Sequence, residues 1–249
     1  MTQQSMDFVD VSHWQGTVDF DELAKSGCVG IIAKATDGTS FVDDQYLYNR
    51  DGALTVGMCF ASYHYLRHGN VEKQMQHYLD IAMPVTGERV VIDYEEEEDS
   101  AGAVDVVDLI EAVEYIRDNR PDLHITVYGA SKLTDDVNAY GGDAYPLVGT
   151  SLWAARYSTN EPEFATEVWD RWDAWQYSQT GQVSGVAGDV DTNMFNGDTM
   201  ACVQWFGPSQ LGPVEIAPPD KLTVNVEISV DRDCILIVNG TRIQTNWDF

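Results

Sequence analysis

The sequence predicts an α/β fold: an irregular (β/α) barrel, regular for about five βα units and degenerate after them, with a small C-terminal β appendage. Apolar, β-branched runs alternate with segments of helical period through the first half of the chain, the pattern of parallel strands covered by helices. The run Val90-Val91-Ile92 ends abruptly in Asp93-Tyr94-Glu95, which sets two acids at the C-terminal end of a strand, where (β/α) barrels carry their sites. A Gly- and Pro-rich stretch from Gly207 to Asp220 then separates off a tail with period-two alternation.

Taken in order, Phe8 to Ser12 reads as a short strand, Asp19 to Lys25 as a turn or two of helix, and Cys28 to Ala35 as a strand. Asp43 to Ala53 has helical character, Met58 to Tyr65 is a strand, and Val71 to Ala82 is a helix stopped by Pro84. The strand ending at Glu95 follows, then an amphipathic helix over about Val104 to Asn119 and the strand His124 to Tyr128. Leu152 to Arg156 and Asp173 to Tyr177 also read as strands. The segments around these last two are short, polar and rich in Gly, Asn and Thr, so full crossover helices are not expected there.

The expected organisation is a catalytic barrel over 1–207, a linker over 208–220 and a β-hairpin appendage over 221–249. In the appendage Leu222, Val224, Val226, Ile228 and Val230 alternate with polar residues, Asp231-Arg232-Asp233 makes a turn, and Cys234 to Val238 returns. A hairpin of this size is not stable alone, so it is expected to pack on the barrel, on a second copy of itself or on a partner.

The chain has 249 residues, 44% of them hydrophobic, which suffices for one large packed core. Its formal net charge of −27 argues against nucleic acid or an anionic membrane as partner, because phosphate would be repelled. No C-x-x-C pair occurs, and Cys28 and Cys59 sit in apolar runs, so buried free thiols are expected. The N-terminal residues lack the pattern of a secretory leader and no run of about 18 apolar residues occurs, which reads as synthesis in the cytoplasm without membrane insertion.

Alternation along a strand places Asp93 and Glu95 on one face with Val91, while Ile92 and Tyr94 take the other. Asp10 ends the first strand, and Asp191 follows the last strand in Gly188-Asp-Val-Asp191-Thr-Asn193. If the strands close a barrel, these acids converge. His64 and His68 straddle a strand end and would not share a helix face, so no metal site is expected from them. The chain contains neither a Gly-x-Ser-x-Gly elbow nor a P-loop.

The ordered set Asp10-Val-Ser-His-Trp-Gln-Gly16, Tyr63-His-Tyr65, Asp93-Tyr-Glu95, Trp153-Ala-Ala-Arg-Tyr157, Trp175-Gln-Tyr-Ser178 and the Gly181–Asn193 tail resembles glycoside hydrolase family 25, the N-acetylmuramidase lysozymes. The resemblance spans residues from about 7 to 200 and leaves out the C-terminal hairpin. It implies cleavage, with retention, of the β-1,4 bond between N-acetylmuramic acid and N-acetylglucosamine in bacterial peptidoglycan, without metal or organic cofactor. Glu95 then matches the general acid, its pKa raised by apolar surroundings and by Asp93 and Asp10. Asp93 matches the partner carboxylate, expected to orient the substrate's own 2-acetamido group and not to act as nucleophile. Asp10 and Asp191 match the two flanking acids, and Tyr63, Tyr128, Trp153 and Gln176 are candidate groove residues. A wall-degrading activity without a leader suggests a phage or prophage endolysin, with the hairpin in wall contact or self-association. The alternatives are a non-catalytic glycan-binding barrel and a chitinase-like glycosidase, the latter weakened because Val91 stands where an Asp-x-Asp-x-Glu motif needs an acid.

Anionic wall polymers repel so acidic a surface, and salt screens that repulsion over roughly 8 Å at physiological ionic strength. Lysis of whole cells is therefore expected to rise with moderate ionic strength in a turbidity assay, whereas a monotonic fall would mean that a local basic surface dominates.

Overall fold

The computed structural model describes residues 5–96 and 102–208 in full, and 98–99, 236–238 and 241–243 as backbone. The chain divides into two compact units, Met1–Gly212 and Pro213–Phe249. In the first unit the strands are β1 (Phe8–Val11), β2 (Gly30–Asp37), β3 (Phe41–Val42), β4 (Cys59–Tyr65), β5 (Arg89–Asp93), β6 (Glu98–Asp99), β7 (Gly102–Ala103), β8 (His124–Gly129), β9 (Ser151–Ala155), β10 (Ala174–Gly181) and β11 (Val190–Phe195). The helices are α1 (Phe20–Lys25), α2 (Tyr46–Thr55), α3 (Val71–Ala82), α4 (Val106–Asn119), α5 (Ser131–Tyr140) and α6 (Thr199–Phe206). In the second unit β12 (Leu236–Val238) pairs antiparallel with β13 (Thr241–Ile243), while the expected strand 222–230 lies outside the described residues.

The main sheet runs β1-β11-β10-β9-β8-β5-β4-β2, and a β1–β2 pairing closes it into an eight-stranded barrel, with β3 appended to β2. Helices α1 to α5 each follow a barrel strand and return the chain to start the next one parallel. Side-chain N-caps punctuate several helices: Asp19 accepts from the Glu22 amide at 3.1 Å, and Asp105 and Asp108 form a reciprocal capping box at α4. Regularity fails after α5. The crossover from β9 to β10 has no helix, and Trp169 and Trp172 bury themselves against the outside of the sheet in its place.

The last turn of the barrel reverses. Residues 182–189 between β10 and β11 are too few for a parallel crossover, which needs a dozen or more, and β11 lies antiparallel to both β10 and β1. This corrects one expectation, since Asp191 does not follow the final strand but lies within it, paired with Asp10. It also corrects the extent of the strand that supplies the two acids, because β5 ends at Asp93 and Glu95 stands just beyond it.

Strand alternation sorts the core into two layers. Val90 and Ile92 join the layer between sheet and helices, whereas Val91 joins an inner cluster with Phe8, Ile32, Ala61, Trp153 and Phe195. Cys202, Trp205 and Phe206 of α6 complete that inner cluster, so the helix plugs the barrel at the N-terminal ends of its parallel strands. Phe206 is fully buried and packs edge-on against Phe8 at 5.4 Å. Gly30 is required there, because an added Cβ would sit 2.7 Å from Cys59 Cβ and 3.0 Å from Phe206. Cys28, Cys59 and Cys202 are buried.

The plug makes a direct prediction. Phe206→Ala should cost roughly 3–5 kcal/mol of stability in chemical denaturation and leave activity per folded molecule unchanged, because the site lies at the other end of the barrel.

Candidate active site

At the C-terminal ends of the parallel strands one cavity is lined by Asp10, Tyr63, Asp93, Glu95, Tyr128, Trp153, Gln176 and Asp191, so all the residues singled out from the sequence meet there. Its volume is 250 Å³. Asp10 and Asp93 point inward from β1 and β5 and are each 7% exposed. The reversed β11 delivers Asp191 directly opposite Asp10.

Asp10 is the most heavily bonded of the acids. Gln176 Nε2 donates to both of its oxygens at 3.2 and 3.1 Å, and Asn193 Nδ2 donates to Oδ2 at 2.8 Å. The network continues outward: Tyr128 and Tyr157 hydroxyls both donate to Gln176 Oε1, at 2.7 and 2.9 Å, and Trp153 Nε1 donates to Asn193 Oδ1 at 2.8 Å. Because its Oε1 is saturated by two phenols, Gln176 can only present its amide hydrogens to Asp10. The tyrosines therefore fix the floor of the cavity through one amide.

Charge is stored in this floor. Burial, then the charge of Asp191, pushes the Asp10 carboxyl well above its ordinary range, and a hydrogen bond with Asp191 leaves the proton on Asp10. Asp191 is raised to about 6, by burial first and by the charge of Glu95. Burial, then Glu95, likewise pushes Asp93 well up, against the opposing pull of Lys34. The phenols of Tyr63 and Tyr128 are raised by burial and by the same acids. Asp93 has a second distinction, because its Oδ1 is buried with no hydrogen-bond partner among the described residues. A buried acceptor left unpaired costs free energy.

Two arms lead away from the acids. On one side a cavity of 410 Å³ is lined by Glu95, Tyr128, Ser131, Arg156, Tyr157 and Glu163 among others. On the other, Ser12 and Gln15 form a capping box around a short 3-10 turn that holds up Trp14, 83% exposed and stacked on His13 at 4.7 Å. Asp43 fixes this turn by accepting from the His13 amide and ring Nδ1 at 3.0 and 2.7 Å. Beyond it Lys34 pairs with Asp37 at 3.0 Å and lies over the Tyr65 ring at 4.8 Å.

Sequence reasoning missed Asn193, Tyr157 and Lys34 as cavity or network residues. Asn193 was discoverable, since it stands two positions from Asp191 and shares its face of a strand. Lys34 carried no signal, because one lysine in an apolar run does not say which way it points. Among the described residues one group has metal-ligand spacing, His68 with Asp105 and Asp108 at the start of α4. His68 Nδ1 and the Gly69 amide already bond Asp108 at 2.8 and 3.0 Å, and Asp105 accepts from the Val107 and Asp108 amides. His64 is buried between Thr36 and Gln74, and burial lowers its pKa to about 4.

The chain belongs to glycosyl hydrolases family 25, whose sequence profile matches residues 9–186. The autolytic lysozyme of Clostridium acetobutylicum is 27% identical to it over 199 residues, 76% of this chain and 55% of the relative. The chain thus spans about half the length of that protein. A family 25 glycosyl hydrolase from Bacillus anthracis superposes with a TM-score of 0.68 at 22% identity, covering 83% of this chain and 95% of the other. The catalytic domain of endolysin ply40, from bacteriophage P40 of Listeria monocytogenes, gives 0.62 at 21% identity, covering 82% and 99%. At these identities the two structures establish the barrel.

The raised carboxyls make a prediction for stability. An acid whose pKa is raised on folding holds its proton longer in the native chain, so stability falls as pH climbs from the unfolded value, near 4, towards the folded one. Asp93→Asn should raise the melting temperature at pH ~7, and the gain should vanish near pH ~4. A variant less stable than the wild type at every pH would contradict the assignment.

Proposed function

We propose that this chain is an N-acetylmuramidase, a lysozyme that hydrolyses the β-1,4 bond between N-acetylmuramic acid and N-acetylglucosamine in bacterial peptidoglycan. Family membership and the name of the Clostridium relative support the reaction class. The observation that carries the mechanism is that Asp93, 7% exposed, and Glu95 line one cavity. Asp93 lines the cavity beside Glu95 and is positioned to receive the N–H of the substrate's 2-acetamido group.

The chemistry follows from that docking. With the acetamido N–H bonded to it, Asp93 has a donor that favours its ionised form, and it gives up its proton. The new negative charge raises the proton affinity of Glu95 two residues on, which takes up that proton and so becomes the acid. Glu95 transfers its proton to the glycosidic oxygen as the C1–O bond breaks, while the acetamido carbonyl oxygen bonds to C1. Asp93 balances the positive charge of the resulting oxazolinium, and Asp10 and Asp191 keep the field around it negative. A water deprotonated by Glu95 attacks C1 and reopens the ring. Two inversions give net retention.

The rings of Tyr63, Tyr128, Trp153 and Tyr157 wall the sugar ring, and exposed Trp14 offers a stacking face further along the chain. The setting we propose is that of a phage or prophage endolysin, by likeness to endolysin ply40. In it residues 1–207 act as the catalytic barrel and 208–220 as the linker, with 221–249 an accessory for wall contact.

Digestion of purified peptidoglycan with mass-spectrometric analysis tests the reaction. New muramic-acid reducing ends are expected, and Glu95→Gln should lower their rate by roughly 10²–10⁴-fold. Reducing ends on N-acetylglucosamine, cleaved peptides, or full activity in Glu95→Gln would overturn the reading.

A further inference from the structure

The end of the barrel opposite the acids has the reverse charge. In a chain with 14 basic residues and a net charge of −27, three arginines and a histidine converge on one cavity of 200 Å³. Arg89, Arg117, Arg120, His124, Ser151 and Gly149 line it, around the base of β5, β8 and β9.

Arg89 is the unusual member. It is the first residue of β5, faces into the barrel beside the α6 plug and is 5% exposed. Its Nε donates to the Trp205 carbonyl at 2.5 Å and its Nη1 to the Thr126 and Ser151 hydroxyls at 2.7 and 3.1 Å, with the guanidinium stacked on the Trp205 ring at 4.3 Å. All of these partners are neutral, and among the described residues Arg89 makes no ion pair. Burial lowers its pKa to about 9, against an opposing pull from the charge of Asp173, which makes no ion pair with it.

Arg117 is in the same position. It donates to the Pro146 carbonyl and, at 2.8 Å, to the Val148 carbonyl, and it too has no carboxylate among the described residues. The carboxylates nearby are already engaged: Asp122 holds Arg120 through two bonds of 2.8 Å, and Asp173 pairs with Arg171 at 3.0 Å. His124 has its pKa lowered by burial first and then by the charge of Arg89. Ser151 Oγ accepts from both Arg89 and Trp205 Nε1, which leaves its own hydrogen free to donate into the cavity.

From these positions we propose that the base of the barrel is a binding site for a tetrahedral oxyanion of the phosphate class, held by Arg89, Arg117, His124 and Ser151. Guanidiniums arriving from a strand and from a helix end match an acceptor with oxygens in several directions better than a planar carboxylate. The site is independent of the hydrolase reading, since none of its residues touches the acidic cavity. Its ligand is either free phosphate or the phosphodiester of an anionic wall polymer.

Titration calorimetry on the full chain at fixed ionic strength tests this, with inorganic phosphate in one arm and a poly(glycerol phosphate) chain in the other. Saturable binding with one phosphate per site is expected, weakened about tenfold or more in Arg117→Ala, with hydrolysis of soluble glycan fragments unchanged in that variant. Arg89→Gln should abolish binding; if its folding fails, Arg117→Ala decides alone. Binding of phosphate but not polymer assigns a free oxyanion, and binding of the polymer assigns a wall phosphodiester. No saturable binding in either arm, or equal binding by wild type and Arg117→Ala, would overturn the proposal.

Discussion

The pairing of β1 with an antiparallel β11 is the constraint on which the rest of this molecule depends. Seven strands run parallel, and the short 182–189 connection forces the eighth to reverse. That reversal has a consequence at each end of the barrel. At the mouth it brings the start of β11, and so Asp191 and Asn193, against Asp10. At the base it releases the chain where α6 can turn in beneath the strands and close the bottom with Trp205 and Phe206. A regular crossover would have put β11 in the opposite sense and left the mouth without its fourth acid.

What the mouth gains in chemistry it loses in stability. Buried carboxyls that repel one another, and an acceptor with no donor, are unfavourable features that a folded chain tolerates where substrate binding relieves them. Here they sit on a floor made rigid by one fully bonded amide, Gln176, and one fully buried one, Asn193. The sequence reading had Asp93 and Asp10 raising the pKa of Glu95. The influence also runs the other way: after burial, the charge of Glu95 raises Asp93, which is the more deeply buried of the two. In the proposed mechanism the proton moves from one to the other when the acetamido group arrives.

Much of the barrel was legible in the sequence because its outer face must be apolar. The helix Val71–Ala82 has the bounds that periodicity and Pro84 suggest, and α4 begins two residues inside its expected start only because Asp105 caps it. What escaped had lost the usual signal for a physical reason. The inner face of β11 opens with Asp191 and Asn193 before Phe195, so most of the strand shows no apolar alternation and reads as a polar tail. Helix α5 buries just Leu133 and Val137, too narrow a stripe to stand out. The acids were found because motif and strand end coincide in sequence. The amide network and Lys34 were not, because their partners lie far away along the chain and only closure of the barrel brings them together.

The central claim is that Asp93 serves the substrate's acetamido group and never bonds to sugar carbon. Intact-protein mass spectrometry of the Glu95→Gln variant, turning over a muramic-acid glycoside with an activated leaving group, tests this most directly, because the acid is then dispensable for departure but deglycosylation lacks its base. The account predicts an unmodified protein mass throughout turnover. A protein heavier by one glycosyl unit, with the ester mapped to Asp93, would contradict it.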